Sequence, residues 1–121
     1  MFVTPTERLI VAIRDEFGVK VATKLPRDYE GLFVRVDPSA PRPLSPVSEE
    51  SLTAVQVYGD DLEEVLDLIY RLRFFLQDEV YTRDVNILWW GETTGPHEFP
   101  DPDTTGLYRW QLIGLLTTAM P

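Results

Sequence analysis

His97 is the only histidine in the chain, and it shares the polar, proline-rich segment 95–106 with Glu98, Asp101 and Asp103. An imidazole among carboxylates is where a metal ion or a general base could be assembled. The run Asp101-Pro102-Asp103-Thr104-Thr105-Gly106 has Asp at positions one and three and Gly at six, as a calcium loop does. Position twelve, however, is Leu112 where a bidentate Glu is needed, and a strand-like sequence follows where a helix belongs. A turn built by Asp, Pro and Gly explains the run better. With no second His, no Cys and no helical spacing, His97 reads as a solvated loop histidine rather than a ligand.

The other chemical candidates fail on similar grounds. Ser39, Ser45, Ser48 and Ser51 lie in or beside a proline-rich stretch, and none sits in a nucleophile elbow. Asp60, Asp61, Glu63 and Glu64 could be paired carboxylates, but at a helix start they answer the helix dipole. The glycines at 18, 31, 59, 91, 95, 106 and 114 give no phosphate-cradling spacing. Trp89-Trp90 could stack a sugar or a base; the plainer reading puts one ring in the core and the other at a contact. The expectation is a protein that is not an enzyme and has no metal and no cofactor.

The 121 residues suit one domain, 1–121, and 44% hydrophobic content suffices for a core. No apolar run reaches the roughly 18 residues of a membrane span. The opening Met1-Phe2-Val3-Thr4-Pro5-Thr6-Glu7-Arg8 lacks the order of a signal peptide, and cysteine is absent, so an intracellular product is expected. Net charge is −9, from 20 acidic and 11 dispersed basic residues. No basic stripe is available to neutralise phosphates, which argues against nucleic-acid binding. The acidity serves solubility, or forms a wall past which DNA slides without sticking.

The elements that would position these residues can be read in order. Thr4-Pro5-Thr6-Glu7 is a capped helix start, Leu9, Ile10, Ile13 and Phe17 form one stripe, and Gly18 stops a helix over 5–17. Strands are expected at 19–25, 32–36 and 51–58. The intervening 37–50, with Pro38, Pro41, Pro43 and Pro46, reads as a long loop. A second helix follows Asp61 and runs to about residue 77. Strands at 85–90, ended by Gly91, and at 107–120 complete the order α-β-β-β-α-β-β. The expected fold is α+β, with a single largely antiparallel or mixed sheet of about five strands and two helices on one face.

Two segments carry more apolar surface than such a domain hides. Leu62, Val65, Leu66, Ile69, Leu72 and Leu76 make a core stripe on the second helix, yet Leu68, Tyr70, Phe74 and Phe75 are apolar too. In the last strand both alternating sets turn apolar around Leu112, Ile113, Leu115 and Leu116, as in a strand buried on both faces. The surplus and the two proline-rich loops, expected to project from the sheet, yield the expected contact residues. These are Leu68, Phe74, Phe75, Trp89, Trp90, Pro41, Pro43, His97, Phe99, Tyr108 and Trp110.

Taken in order, these elements resemble the tail terminator proteins of long-tailed, non-contractile bacteriophages, as found in phages of actinobacteria. The resemblance covers the chain: a short N-terminal helix, a strand ending Leu25-Pro26, Leu32-Phe33-Val34-Arg35-Val36, and Val55-Gln56-Val57-Tyr58 leading into a helix at Asp60-Asp61. Its most specific part is the Pro-Asp segment ending in Gly106 and feeding Leu107-Tyr108-Arg109-Trp110-Gln111-Leu112. The chain departs from the family in its Leu- and Phe-rich second helix, often Ala-rich there, and in its Pro-rich rather than Gly-rich 38–46 connection. The resemblance implies a homohexameric ring in the virion neck, assembled in the host cytoplasm. The ring would cap the major tail tube protein, end its polymerisation and meet the head-completion or connector protein. Double-stranded DNA would pass through without specific binding. A head-closure subunit of the same neck, or a cellular α+β domain that binds a ligand or regulates an enzyme as a dimer, are the alternatives.

Overall fold

The computed structural model describes residues 2–104 and 106–121; Met1 and Thr105, which belong to the opening segment and the Asp-Pro turn read above, lie outside the described residues. The chain is α+β, with α1 (Pro5–Phe17), β1 (Lys20–Ala22), β2 (Phe33–Pro38), β3 (Arg42–Ser45), β4 (Ser48–Gly59), α2 (Leu62–Asp78), α3 (Val80–Arg83), β5 (Ile87–Glu98) and β6 (Tyr108–Ala119). One mixed sheet runs β1-β2-β4-β6-β5, with β3 attached to β4. Only β1–β2 is parallel; the other pairs are antiparallel.

Local chemistry sets the helix ends. Thr4 Oγ1 accepts a hydrogen bond from the Glu7 N–H at 3.2 Å, Pro5 occupies the first turn, and Gly18 closes α1 at φ 64°. Asp61 caps α2 by accepting from the Glu63 N–H at 2.9 Å.

The core lies between α1, α2 and one face of the sheet. Leu9 and Ile13 from α1 and Val65, Ile69 and Leu72 from α2 meet Val34, Val36, Val55, Val57, Leu112 and Leu116. Register explains the selection. Val36, Val55 and Leu112 stand in one row, and Val34, Val57 and Trp110 in the next, so all six point the same way.

Several boundaries differ from the sequence reading. The 37–50 segment is not one loop: β2 reaches Pro38, β3 occupies Arg42–Ser45, and β4 starts at Ser48. The prolines fit because β3 pairs with β4 alone, so an edge position absorbs the missing N–H of Pro43. β2 and β3 lie end to end along the same side of β4, joined by a Ser39 N–H to Leu52 O hydrogen bond of 2.8 Å. Nor does Gly91 end a strand. β5 continues through Gly95 and Pro96 to Glu98, also as an edge strand, with three register shifts along it. Residues 95–98 are therefore part of the sheet rather than a projecting loop. β1 is only three residues long, and the short helix α3 had no signal in the hydrophobic pattern.

Candidate functional site

With α1 and α2 on one face, the opposite face of the sheet has no helix over it, and its two halves differ. Near the β5–β6 connection it is polar. Arg35, Gln56, Gln111 and His97 stand directly opposite one another on β2, β4, β6 and β5. Arg35 donates to Gln56 Oε1 at 3.4 Å, Gln56 Nε2 to Gln111 Oε1 at 2.7 Å, and Gln111 Nε2 to His97 Nε2 at 3.4 Å. His97 Nδ1 lies 2.8 Å from the Gly95 carbonyl, which can only accept, so Nδ1 carries the proton and Nε2 is free to accept from Gln111. Every donor in the row points the same way, which polarises the chain cooperatively.

The next row holds the buried Tyr58 and Arg109. The Arg109 guanidinium donates to the carbonyls of Phe99 and Pro100 and to the Tyr58 hydroxyl, and stands 3.5 Å from Asp101 Oδ2. It also stacks on the Phe99 ring, 4.2 Å from the centroid. Arg109 thus ties the turn after β5 down onto the sheet. The Asp101 carboxylate is used in this network, and His97 turns toward Gln111 and Gly95. Among the described residues no group of three or more His, Asp or Glu side chains is placed to hold a metal ion.

The other half of this face is apolar. Leu52 stands opposite Leu115, Ala54 opposite Ile113, and Gly91 and Trp89 flank β6 from the far side. Leu52 and Trp89 are exposed, and Ile113 and Leu115 are half-buried. Bordering charges are already paired: Arg42 Nε donates to Glu50 at 2.6 Å, and Arg35 lies 3.9 Å from Asp37. A nearly neutral greasy patch on a chain of net charge −9 is a surface suited to contact. A second apolar area lies on the outer side of α2 and α3, where Tyr70, Phe74 and Tyr81 are exposed.

The expected contact residues separate accordingly. Trp89 is 66% exposed and Trp90 5% exposed, one on each side of the sheet. Phe74, Phe99, Tyr108, Pro41 and Pro43 are exposed, and His97 and Trp110 are half-buried. Leu68, Phe75 and Trp90 are corrected: all three are core residues, 4%, 2% and 5% exposed, and their side chains are spent on packing within the subunit. On α2 the buried stripe is Val65, Leu68, Ile69, Leu72, Phe75 and Leu76, which leaves Leu62 outside and Leu66 at the border. The last strand is likewise covered on one side only. Leu112, Gly114 and Leu116 are buried against the helices, while Ile113 and Leu115 face outward.

Leu52 and Leu115 are outward-facing apolar residues that the sequence could have supplied. Leu52 differs in parity from Val55 and Val57, so on a regular strand it must lie on the other face.

Ion pairs anchor the helices to the sheet. Arg73 on α2 forms a two-pronged pair with Glu92 on β5, at 2.9 and 2.8 Å. This holds the Arg73 proton more firmly than in a free guanidinium. Arg8 on α1 reaches Asp84, just before β5, at 3.0 Å. Burial pushes the Asp84 carboxyl up. The Asn86 N–H and the Arg8 guanidinium outweigh it and hold the carboxyl below its ordinary 3.8.

Among the described residues no helix is long and apolar enough to cross a membrane. No protein-family model and no curated protein sequence matches the chain.

Proposed function

We propose that this chain is a structural virion protein, a tail terminator subunit of a long-tailed bacteriophage. Six copies would close into a ring on the tail tube, end its growth and receive the head-completion proteins, with DNA passing through the bore. The observation that supports this reading is the presence of two dissimilar apolar areas on different sides of one subunit. One is the Leu52–Leu115–Trp89 face of the sheet, and the other is the Tyr70–Phe74 side of α2. A closed ring of identical subunits uses heterologous contacts, in which one patch of each copy meets a different patch of the next. A simple two-fold dimer needs only one such patch. The net charge of −9 per subunit adds support, because a ring of acidic subunits offers passing DNA few cations to hold it.

The test is the mass of the purified protein alone and after mixing with tail tubes, with Leu115→Asp as the variant. The expected result is a six-copy ring, free or at tube ends, and a folded Leu115→Asp chain that forms none. A stable dimer, or a wild-type chain that stays single in the presence of tubes, overturns the reading.

A further inference from the structure

Glu49 is 8% exposed as a residue, and its carboxylate makes no hydrogen bond or ion pair among the described residues. Its neighbour Glu50 points to the other face and spends its charge on Arg42. Across the strand pair from Glu49 stands Thr118, whose hydroxyl is buried without a partner. The Glu49 oxygens are not among the polar atoms sealed from solvent without a partner, so the carboxylate opens outward and has room for one.

The Glu49 side chain lines a groove of about 340 Å³ between the start of α1 and the β2–β3 junction, at the small end of the range for ligand sites. Thr4, Thr6, Ser39 and Ser51 add polar groups to its wall, and Pro5, Pro38 and Pro41 make the remainder stiff. Among the described residues no Lys or Arg lines it, Glu49 is the charged side chain on the wall, and Pro121 closes one side.

We propose that this groove receives one cationic group carried on a slim apolar stem, an alkylammonium or alkylguanidinium. The group satisfies Glu49 by a charge-assisted hydrogen bond, the wall hydroxyls take its remaining N–H donors, and the proline rings pack its stem. Two sources present this chemistry: a free small amine, or a Lys or Arg side chain of a second copy. For the second source, Lys20, Lys24 and Arg27 are the cations without an ion-pair partner among the described residues. Lys20 lies at the Tyr58 end of β4, so it cannot reach Glu49 of its own chain, about nine residues or roughly 30 Å away along that strand.

The experiment titrates the isotope-labelled full chain with n-butylammonium, n-butylguanidinium and neutral 1-butanol, following backbone amide shifts. Saturable shifts at Thr6, Ser39, Glu49 and Ser51 are expected for the two cations, with 1-butanol binding about tenfold or more weaker. Glu49→Gln, shown to be folded by circular dichroism, should lose the preference for the cations. Butylammonium binding that also dissociates self-assembled copies assigns the site to a Lys or Arg of a second copy, and the Lys20→Gln/Lys24→Gln/Arg27→Gln chain should then fail to self-associate. Binding with no effect on assembly assigns it to a free amine. Absence of shifts at these residues, equal response to 1-butanol, or unchanged binding by Glu49→Gln overturns the proposal. Because the titration reads the single chain, it is decided whether or not the protein forms a ring.

Discussion

Replacing Gly114 by Ala places a methyl group in space that the Trp90 indole already occupies. A Cβ built on Gly114 would lie 2.5 Å from Trp90 Cε2 and 2.9 Å from Cη2, where ordinary contact begins near 3.4 Å. The ring must therefore retreat by about 1 Å, yet Trp90 belongs to the core cluster and is packed among buried side chains. Overpacking of this kind costs about 1–3 kcal/mol. The lost freedom of the unfolded chain returns about 0.4–1 kcal/mol, and no backbone strain enters, because Gly114 does not have positive φ. The net expectation is a loss of about 1–2 kcal/mol, or a melting point lower by roughly 4–8 °C for a domain of this size. Urea and thermal unfolding, followed by far- and near-UV circular dichroism, measure it. In a Trp90→Leu background the penalty of Gly114→Ala should vanish, since the flat ring over the glycine is gone. A Gly114→Ala protein as stable as wild type, with an unaltered near-UV spectrum, refutes the reasoning.

Asp84 has a lowered carboxyl pKa in the folded chain, so its contribution is complete above its ordinary 3.8 and is lost as pH falls through the lower folded value. Asp84→Asn should flatten the fall in stability below about pH 4, and should cost about 1 kcal/mol or less at neutral pH, as read by urea unfolding at several pH values. Arg109→Met removes the donors that hold the Phe99 and Pro100 carbonyls. Faster amide hydrogen exchange is expected, largest at 99–107, with a global loss of about 2–3 kcal/mol that also speeds exchange of the core amides. A chain ended before Leu112 loses eight of the twelve residues of β6, the strand that lies between β4 and β5, and should show neither cooperative unfolding nor assembly. A soluble, cooperatively folding truncated chain would show that β6 is dispensable.

How far the sequence carried depends on which force decides each residue. Thr4, Pro5 and Gly18 act through their own backbone, so the ends of α1 were readable without knowing the partner elements. The alternation of Val34 and Val36, and of Val55 and Val57, was readable because one face is buried. Where edge position decides, the pattern misled: Pro43 and Pro96 look like strand breakers, and they are tolerated because their strands have one side unpaired. The outward apolar surface was half readable. The second helix showed an excess of apolar residues, but which of Leu66, Leu68, Phe74 and Phe75 turned outward depended on the angle at which α2 meets the sheet. Glu49 was invisible, because its burial follows from the packing of α1 and the β2–β3 bend over a residue ordinary in itself.

The transverse row Arg35–Gln56–Gln111–His97 behaves like the pins of a tumbler lock. Each bond requires its two residues to stand on the same face and at the same level. Sliding any one strand by a single position turns its member of the row to the opposite side, and with it reverses that strand's greasy and wet flanks. The hydrophobic pattern alone tolerates a two-position slide on the short pairing of β2 with β4. The amide row does not, since Ala54 and Tyr58 would then stand where Gln56 should be. Selecting one alignment from those that oiliness permits is the work of these four side chains.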